Sequence, residues 1–240
     1  MLRFGRRIRR RFGSLPCSSS TWGATARLPG GEHLKTRHQR DPLNEAVLDL
    51  EMERLLLALR ALESIIPSPN DQLPPGRFAR ELAWSLTRRG TAAAMAREFD
   101  LARRLAESAE LVGQRSLYGR DPLLHFFVRG LIAAAGGDHR SAVDLFRRSI
   151  YSWNFGYTRA NLELARSLFA LGRAAEAVPV LQSALRGGWD GSNLYVSRTE
   201  IHEQLAKAFE VTGSRDSAAV HFAVVERSWR RADPPFADRY

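Results

Sequence analysis

The sequence predicts an all-α fold, and three observations support this prediction. Helix-forming residues dominate the composition, no window alternates with strand period over more than a few residues, and apolar residues recur three and four positions apart. The clearest example is the segment 154–187, where two apolar-periodic blocks lie on either side of Gly172. This pattern is typical of two helices that fold back on each other as a hairpin.

The charge of the chain is concentrated at its beginning. The 240 residues carry a net charge of +10, with 44% apolar and 26% charged residues. Residues 1–40 contain ten basic side chains and one acidic side chain, and the other 200 residues hold the remaining 26 basic and 25 acidic ones. The folded part is therefore nearly neutral. Nucleic-acid binding needs a clustered basic face, so this balance argues against it for the folded part.

Residues 1–40 are predicted to be a disordered Arg-rich tail, because they combine an arginine run with Gly, Pro and Ser and lack apolar periodicity. Three alternatives remain for this tail: a mitochondrial transit peptide, a nucleic-acid-binding arm, or a sequence that begins away from the native start. Its apolar residues are too dispersed for a secretory signal.

Cys17 is the only cysteine. A single cysteine excludes a disulfide or a multi-cysteine zinc site within one chain, which fits a cytoplasmic location. No run of about 18 apolar residues is present, so no membrane-spanning helix is predicted.

An N-terminal helix is predicted over 41–67. Asp41 and Pro42 suit the cap and first position of a helix, and apolar residues then recur at alternating spacings of four and three from Leu48 to Ile66. This seam is interpreted as packing on the first repeat, and the alternative is a homodimer through the 48–66 helix. The turn-rich segment 68–76 is predicted to be a linker.

Four copies of one hairpin pattern are predicted between 77 and 233, followed by a C-terminal tail, 234–240. Each copy has a small residue in its first helix and, in its second, a small residue, a large residue three or four positions later and a further residue seven positions later. The four sets are Gly90, Ala102, Leu105 and Ala109; Gly130, Ala142, Phe146 and Ser149; Ala165, Ala177, Leu181 and Ala184; and Ala206, Ala218, Phe222 and Val225.

This arrangement resembles the tetratricopeptide repeat (TPR). The resemblance implies an α–α superhelix, a TPR-like solenoid of about four helical hairpins with an extra N-terminal helix. The pattern is similar in particular to the repeat arrays found at the C-terminal end of bacterial signalling and regulatory proteins. The chain departs from the family in lacking the usual proline at the end of each repeat, and in placing Ser149 and Val225 where the final alanine is usual.

The repeat spacing also departs from the family. The repeated alanines of the second helices, Ala102, Ala142, Ala177 and Ala218, are 40, 35 and 41 residues apart, whereas the family period is 34. The extra residues are assigned to the linkers Gly113–Arg120 and Gly187–Val196. Asp121 and Asp138 are candidate helix N-caps, and Ser197 with Glu200 matches a capping box.

No constellation for catalysis is found. The six histidines lack metal-ligand spacing, and the sequence has no GxSxG, phosphate-loop or GxGxxG motif in a suitable context. The chain is therefore predicted to be non-catalytic, with no cofactor and no metal.

The resemblance implies that the first helices of the hairpins line a partner-binding groove. Carried over by register, the candidate groove residues are Trp84, Phe127, Leu131, Arg159, Leu162, Arg166, Phe169, Glu203 and Lys207. The family's carboxylate clamp of Lys and Asn does not occur at the corresponding positions. The apolar half of the groove suits a peptide, and the chain's own 48–66 helix is the favoured alternative occupant.

A second candidate surface is the loop 186–198, which holds Trp189, Tyr195 and Arg198. Aromatic and arginine side chains are typical interface anchors, although the aromatic pair would also suit a cover over helix ends.

Two functions remain in view: a protein-interaction scaffold that binds a protein or peptide, and a ligand-sensing regulatory domain with an anion site near Arg159, Arg166 and Arg198. Nucleic-acid binding through the basic tail is a third, weaker hypothesis.

Overall fold

The computed structural model describes residues 73–150, 158–186 and 198–230, all within one compact unit, Arg40–Tyr240. These residues form eight α-helices and one short 3-10 helix, without a strand. The helices are α1 (Pro75–Met95), α2 (Phe99–Gly113), α3 (Leu124–Ala135), α4 (His139–Ser149), α5 (Thr158–Ala170), α6 (Ala174–Arg186), α7 (Arg198–Val211) and α8 (Arg215–Trp229), with the 3-10 helix at Asp121–Leu123.

The helices pair as four antiparallel hairpins, α1–α2, α3–α4, α5–α6 and α7–α8. The second helix of each hairpin packs on the first helix of the next, and the first helices of successive hairpins also contact one another. We call α1, α3, α5 and α7 the leading helices. This stacking confirms the predicted all-α solenoid of four hairpins. α1 begins at Pro75, two residues before the predicted boundary, because proline's fixed φ suits the first turn of a helix.

Small residues allow close crossing between helices. A Cβ at Gly130 would lie 2.6 Å from the Phe146 ring, and one at Gly90 would lie 2.9 Å from a Val128 methyl group. Both distances are too short for ordinary van der Waals contact, so neither position has room for alanine unless a neighbour shifts.

The repeated pattern also accounts for much of the core. Apart from Phe222, which is half-buried, its members are buried. They fall on the facing sides of paired helices, because residues three and four apart share one face of a helix. The repeated pattern is therefore a core pattern, as the sequence predicts.

The turn inside each hairpin has the same geometry four times. The amide of the residue after the turn donates to a carbonyl five residues earlier: Glu98 to Ala93, Asp138 to Ala133, Arg173 to Leu168 and Ser214 to Phe209, at 2.8–2.9 Å. The preceding residue has a left-handed backbone in every case. These are Schellman motifs, which end a helix by satisfying its last carbonyl groups.

Glycine occupies the left-handed position in three of these turns, at Gly137, Gly172 and Gly213. Arg97, with φ of 63°, occupies it in the first. An L-residue with a side chain pays a steric penalty there, so the first turn is the least favourable of the four.

The two N-cap predictions have different outcomes. Asp138 caps α4, accepting a hydrogen bond from the Ser141 amide at 3.0 Å, as predicted. Asp121 is the first residue of the short 3-10 helix, whose N-cap is Arg120. Asp121 is instead buried and accepts hydrogen bonds from Trp84 Nε1 at 3.1 Å and Ser116 Oγ at 2.6 Å.

Several predictions fall outside the described residues. They are the tail 1–40, the helix 41–67, most of the linker 68–76, the linker Gly187–Val196, the cap residue Ser197 and the tail 234–240. Within the described residues, no helix combines the length and the apolar character needed to cross a bilayer.

Candidate interaction surface

The leading helices α5 and α7 bring a set of charged side chains together. On α5, Arg159, Glu163 and Arg166 follow one face of the helix at spacings of four and three. Glu163 Oε1 lies 3.3 Å from Arg159 Nε and 2.9 Å from Arg166 Nη1. The carboxylate therefore lies between two guanidinium groups.

The adjacent face of α7 continues this charged set. Lys207 Nζ lies 2.6 Å from Glu203 Oε1, and Arg166 Nη2 lies 3.5 Å from Glu200 Oε1. The second contact links α5 to α7. Charged residues from two separate hairpins thus form one surface, which we call the α5–α7 charged face: Arg159, Glu163, Arg166, Glu200, Glu203 and Lys207.

On the α5–α7 charged face, the acidic side chains are more deeply buried than Arg166 and Lys207. The side chains of Glu163, Glu200 and Glu203 are 12–15% exposed, whereas those of Arg166 and Lys207 are 41% and 48% exposed. The cationic groups therefore offer most of the accessible hydrogen-bond donors on this face. Guanidinium and ammonium groups only donate hydrogen bonds, so the face suits carboxylate or carbonyl oxygens of a partner.

Arg159 is much less accessible. Its side chain is 10% exposed, and Nη2 lies 3.8 Å from Met95 Sδ at the end of α1. It connects the third hairpin with the first, and a charge reversal here would disturb the packing as well as any binding.

The apolar members of the predicted groove contribute to the core. Trp84, Phe127, Leu131 and Leu162 are at most 8% exposed, and Phe169 is half-buried. The Phe127 and Phe146 rings pack in a tilted arrangement with centroids 5.8 Å apart. The predicted groove residues that keep some exposure are the exposed Arg166 and Lys207 and the half-buried Phe169 and Glu203.

The second predicted surface is only partly described. Arg198 is exposed at the first position of α7, and Trp189 and Tyr195 lie outside the described residues.

The sequence does not predict one contact between two histidines. His202 on α7 and His221 on α8 are 19 residues apart, and the hairpin places their Nδ1 atoms 2.8 Å from each other. Burial lowers the pKa of both residues, and the mutual charge interaction further lowers the pKa of His202. The pairing of two helices in a hairpin predicts that positions in the middle of α7 and α8 lie opposite each other. It does not predict how the two imidazole rings are oriented.

A third histidine, His125 on α3, is buried near a charged pair. Its Nε2 lies 3.8 Å from Glu110 Oε1, and Glu110 also pairs with Arg129 at 2.6 Å. Burial is the main cause that lowers the His125 pKa, so the neutral ring is favoured. Across the three described segments, no three or more His, Cys, Asp or Glu side chains group closely enough to hold a metal ion.

Comparison with known proteins gives matches only at the level of solved structures. Neither a family model nor a curated protein matches the chain. MamA from AMB-1 is 20% identical, with 82% of this chain and 94% of that chain covered and a TM-score of 0.43. A putative kinesin light chain from Podosopora anserina, with nearly identical TPR-like repeats, is 18% identical, with coverages of 85% and 97% and a TM-score of 0.48.

The contacts within this chain establish its architecture. Four hairpins stack in order, share one pattern of small and large core residues and end their first helices with the same Schellman turn. The described part of the chain is an all-α array of TPR-like helical repeats.

Proposed function

We propose that this chain is a non-catalytic protein-interaction scaffold that binds a protein or peptide on the α5–α7 charged face. The observation that carries the proposal is the depth difference on this face, where Arg166 and Lys207 extend above mostly buried glutamates. A regulatory or adaptor role in a bacterial cytoplasm is part of the proposal, supported by the single cysteine and by the sequence resemblance.

The glutamates beneath these cations would orient them for binding. Glu163 and Glu200 hold the Arg166 guanidinium in place from two helices. A guanidinium group has five N–H donors, so donors remain for a partner while two contacts orient the group. Because its side chain is already ordered, less conformational entropy is lost on binding.

An anion sensor is less well supported by the same geometry. Arg159 and Arg166 share Glu163, and Arg166 also lies beside Glu200. A small anion would have to compete with carboxylates that are already in place. A partner segment that adds new contacts along two helices fits the charged face better than a single small anion does.

The test is a comparison of two charge-reversed variants of the full chain. The first is Arg166→Glu/Lys207→Glu. The matched control is Arg103→Glu/Arg230→Glu, because each of these exposed cations also pairs with an acid three or four residues earlier but lies outside the leading helices. Circular dichroism and light scattering check that all three proteins are folded and of the same mass.

Each protein is immobilised and exposed to a bacterial lysate, and the recovered partner is then purified and titrated by calorimetry. We expect the control to bind like the unchanged chain and the first variant to bind at least about tenfold more weakly. Equal affinities for all three proteins would remove the α5–α7 charged face as the binding surface.

A further inference from the structure

The linker between the first two hairpins presents apolar side chains to solvent. Leu117 is 87% exposed and Tyr118 is 49% exposed, although large apolar side chains are usually covered. The linker also contains the extra residues that separate Ala102 from Ala142 by 40 positions rather than the family's 34. An insertion that carries exposed apolar residues is a frequent place for binding.

The linker is held in a defined conformation. Ser116 Oγ donates to Asp121 Oδ2 at 2.6 Å and accepts from the Tyr118 amide at 3.2 Å. The Asp121 amide donates to the Tyr118 carbonyl at 3.0 Å, which closes a turn that runs from Tyr118 to Asp121. Gly113 is required at the end of α2, since a Cβ there would lie 2.5 Å from the Asp121 carbonyl oxygen.

One face of α1 supports this linker at three points. Gly76, Arg80 and Trp84 are spaced four residues apart, so they form a stripe along the helix. A Cβ at Gly76 would lie 2.7 Å from Leu117 Cγ, the Arg80 guanidinium lies 3.8 Å from the Tyr118 ring centroid, and Trp84 donates to Asp121. The exposed residues are therefore fixed relative to α1.

The charges next to these apolar residues are mainly positive. Arg80 lies over Tyr118, Arg120 lies 4.7 Å from the Trp84 ring centroid, and Arg115 in the linker is exposed. Asp121, the acid that directly follows the linker, is buried and accepts hydrogen bonds from Trp84 and Ser116. We call the set Arg80, Arg115, Leu117, Tyr118 and Arg120 the linker patch.

We propose that the linker patch is a second docking site, and that it binds an acidic peptide segment whose apolar side chain covers Leu117 and Tyr118. Charge complementarity selects this occupant, because flanking carboxylates of such a segment would meet Arg80, Arg115 and Arg120. Tyrosine and arginine are typical anchors of interfaces, and a pre-formed linker loses little entropy on binding. The site is separate from the α5–α7 charged face.

The occupant is identified by selecting a random dodecapeptide phage library on the full chain, with depletion on Leu117→Ser/Tyr118→Ser. We expect the depleted pool to be enriched in peptides that combine Asp or Glu with Leu, Phe or Trp. A pool without this enrichment, or equal recovery on both proteins, would overturn the proposal.

Recovered peptides are then synthesised with a fluorescent label and titrated by anisotropy. We expect Leu117→Ser to weaken binding by about tenfold or more, because the buried apolar surface of the leucine would be lost. We expect Arg80→Glu to weaken binding and to reduce its salt dependence. Val220→Ser is the matched control, since Val220 is 64% exposed on α8. Equal weakening by Val220→Ser would indicate nonspecific apolar binding and overturn the proposal.

Two further measurements distinguish the linker patch from the α5–α7 charged face and from a dimer interface. The Arg166→Glu/Lys207→Glu variant should bind the peptides normally, so failure of the proposed scaffold surface and failure of the linker patch are distinguishable. Light scattering across a concentration series checks for self-association. A dimer that Leu117→Ser converts to a monomer would show that a second copy occupies the patch, and would overturn the peptide assignment.

Discussion

His202 and His221 lie with their Nδ1 atoms 2.8 Å apart across the last hairpin, and the His221 ring stacks on Phe209 with 5.6 Å between centroids. A hydrogen bond between two ring nitrogens needs one donor and one acceptor, so at least one ring must be neutral. This contact joins α7 to α8 at the C-terminal end of the described array.

The first prediction concerns the pH dependence of this hairpin. Burial lowers the pKa of both histidines below the ordinary value of 6.5. The unfolded chain therefore binds more protons than the folded chain as pH falls below about 6.5, and the stability contributed by the neutral pair is present above that pH and lost below it. We expect the free energy of unfolding to fall between about pH 7 and pH 5.

The measurement is urea unfolding at several pH values, followed by circular dichroism. His125 contributes in the same direction, because burial also lowers its pKa. The variant His202→Gln/His221→Gln should therefore show a smaller pH dependence rather than none. A pH dependence as steep as that of the unchanged chain would show that this pair does not titrate as its environment implies.

A second prediction follows from the left-handed backbone of Arg97. Replacing Arg97 by glycine removes a steric penalty of about 1–2 kcal/mol but increases the entropy of the unfolded chain, so we expect a net gain in stability of about 0.5–1 kcal/mol. Gly172→Ala is the matched opposite change, because a Cβ at Gly172 meets no atom within 4 Å and only its φ of 71° is unfavourable. Thermal unfolding should show opposite shifts for the two variants, and shifts in the same direction would contradict the assignment.

The third prediction tests the close crossing at Gly130. Alanine is better than glycine in a helix by about 1 kcal/mol, but overpacking typically costs about 1–3 kcal/mol. With a Cβ 2.6 Å from the Phe146 ring, we expect Gly130→Ala to be net destabilising. Denaturant titration measures the change.

A second substitution, at Phe146, provides the control for the Gly130→Ala prediction. The third hairpin has Ala165 and Leu181 at the two corresponding register positions, and both are buried. Adding Phe146→Leu to Gly130→Ala should therefore recover part of the lost stability. Strictly additive effects of the two substitutions would indicate that the Phe146 ring does not limit the space at Gly130.

A fourth prediction concerns the buried carboxylate of Asp121. Asp121→Ala would leave Trp84 Nε1 and Ser116 Oγ without their acceptor in a buried site, at a cost of about 1–3 kcal/mol. Asp121→Asn keeps an acceptor oxygen and should cost less. Equal losses in thermal unfolding would mean that the hydrogen bonds do not carry the effect.

The repeated hairpins could be predicted because their signals are local. Apolar spacing identifies the helices, and small residues such as Gly130, Ala142 and Ala177 mark the faces that cross closely. The glycine turns at Gly137, Gly172 and Gly213 have the left-handed backbone that favours glycine. All of these depend on residues within one hairpin.

The site could be predicted only in part, because family register states which helix face a residue occupies and not how deeply it is covered. Trp84, Phe127 and Leu162 have the register of groove residues, yet all three are buried in the core. Arg166 and Lys207 keep substantial exposure at the same kind of position. Coverage depends on neighbouring helices that are distant in the chain.

Short-range periodicity and glycine placement are thus enough to predict the all-α class, the four hairpins and their internal register from the sequence. Tertiary packing is needed to establish that Asp121 accepts a hydrogen bond from Trp84 rather than capping a helix, that His202 meets His221, and that Leu117 and Tyr118 face solvent. Each of these relationships requires side chains from separate elements to meet in space. Their geometry depends on how helices and linkers pack together, which local periodicity does not encode.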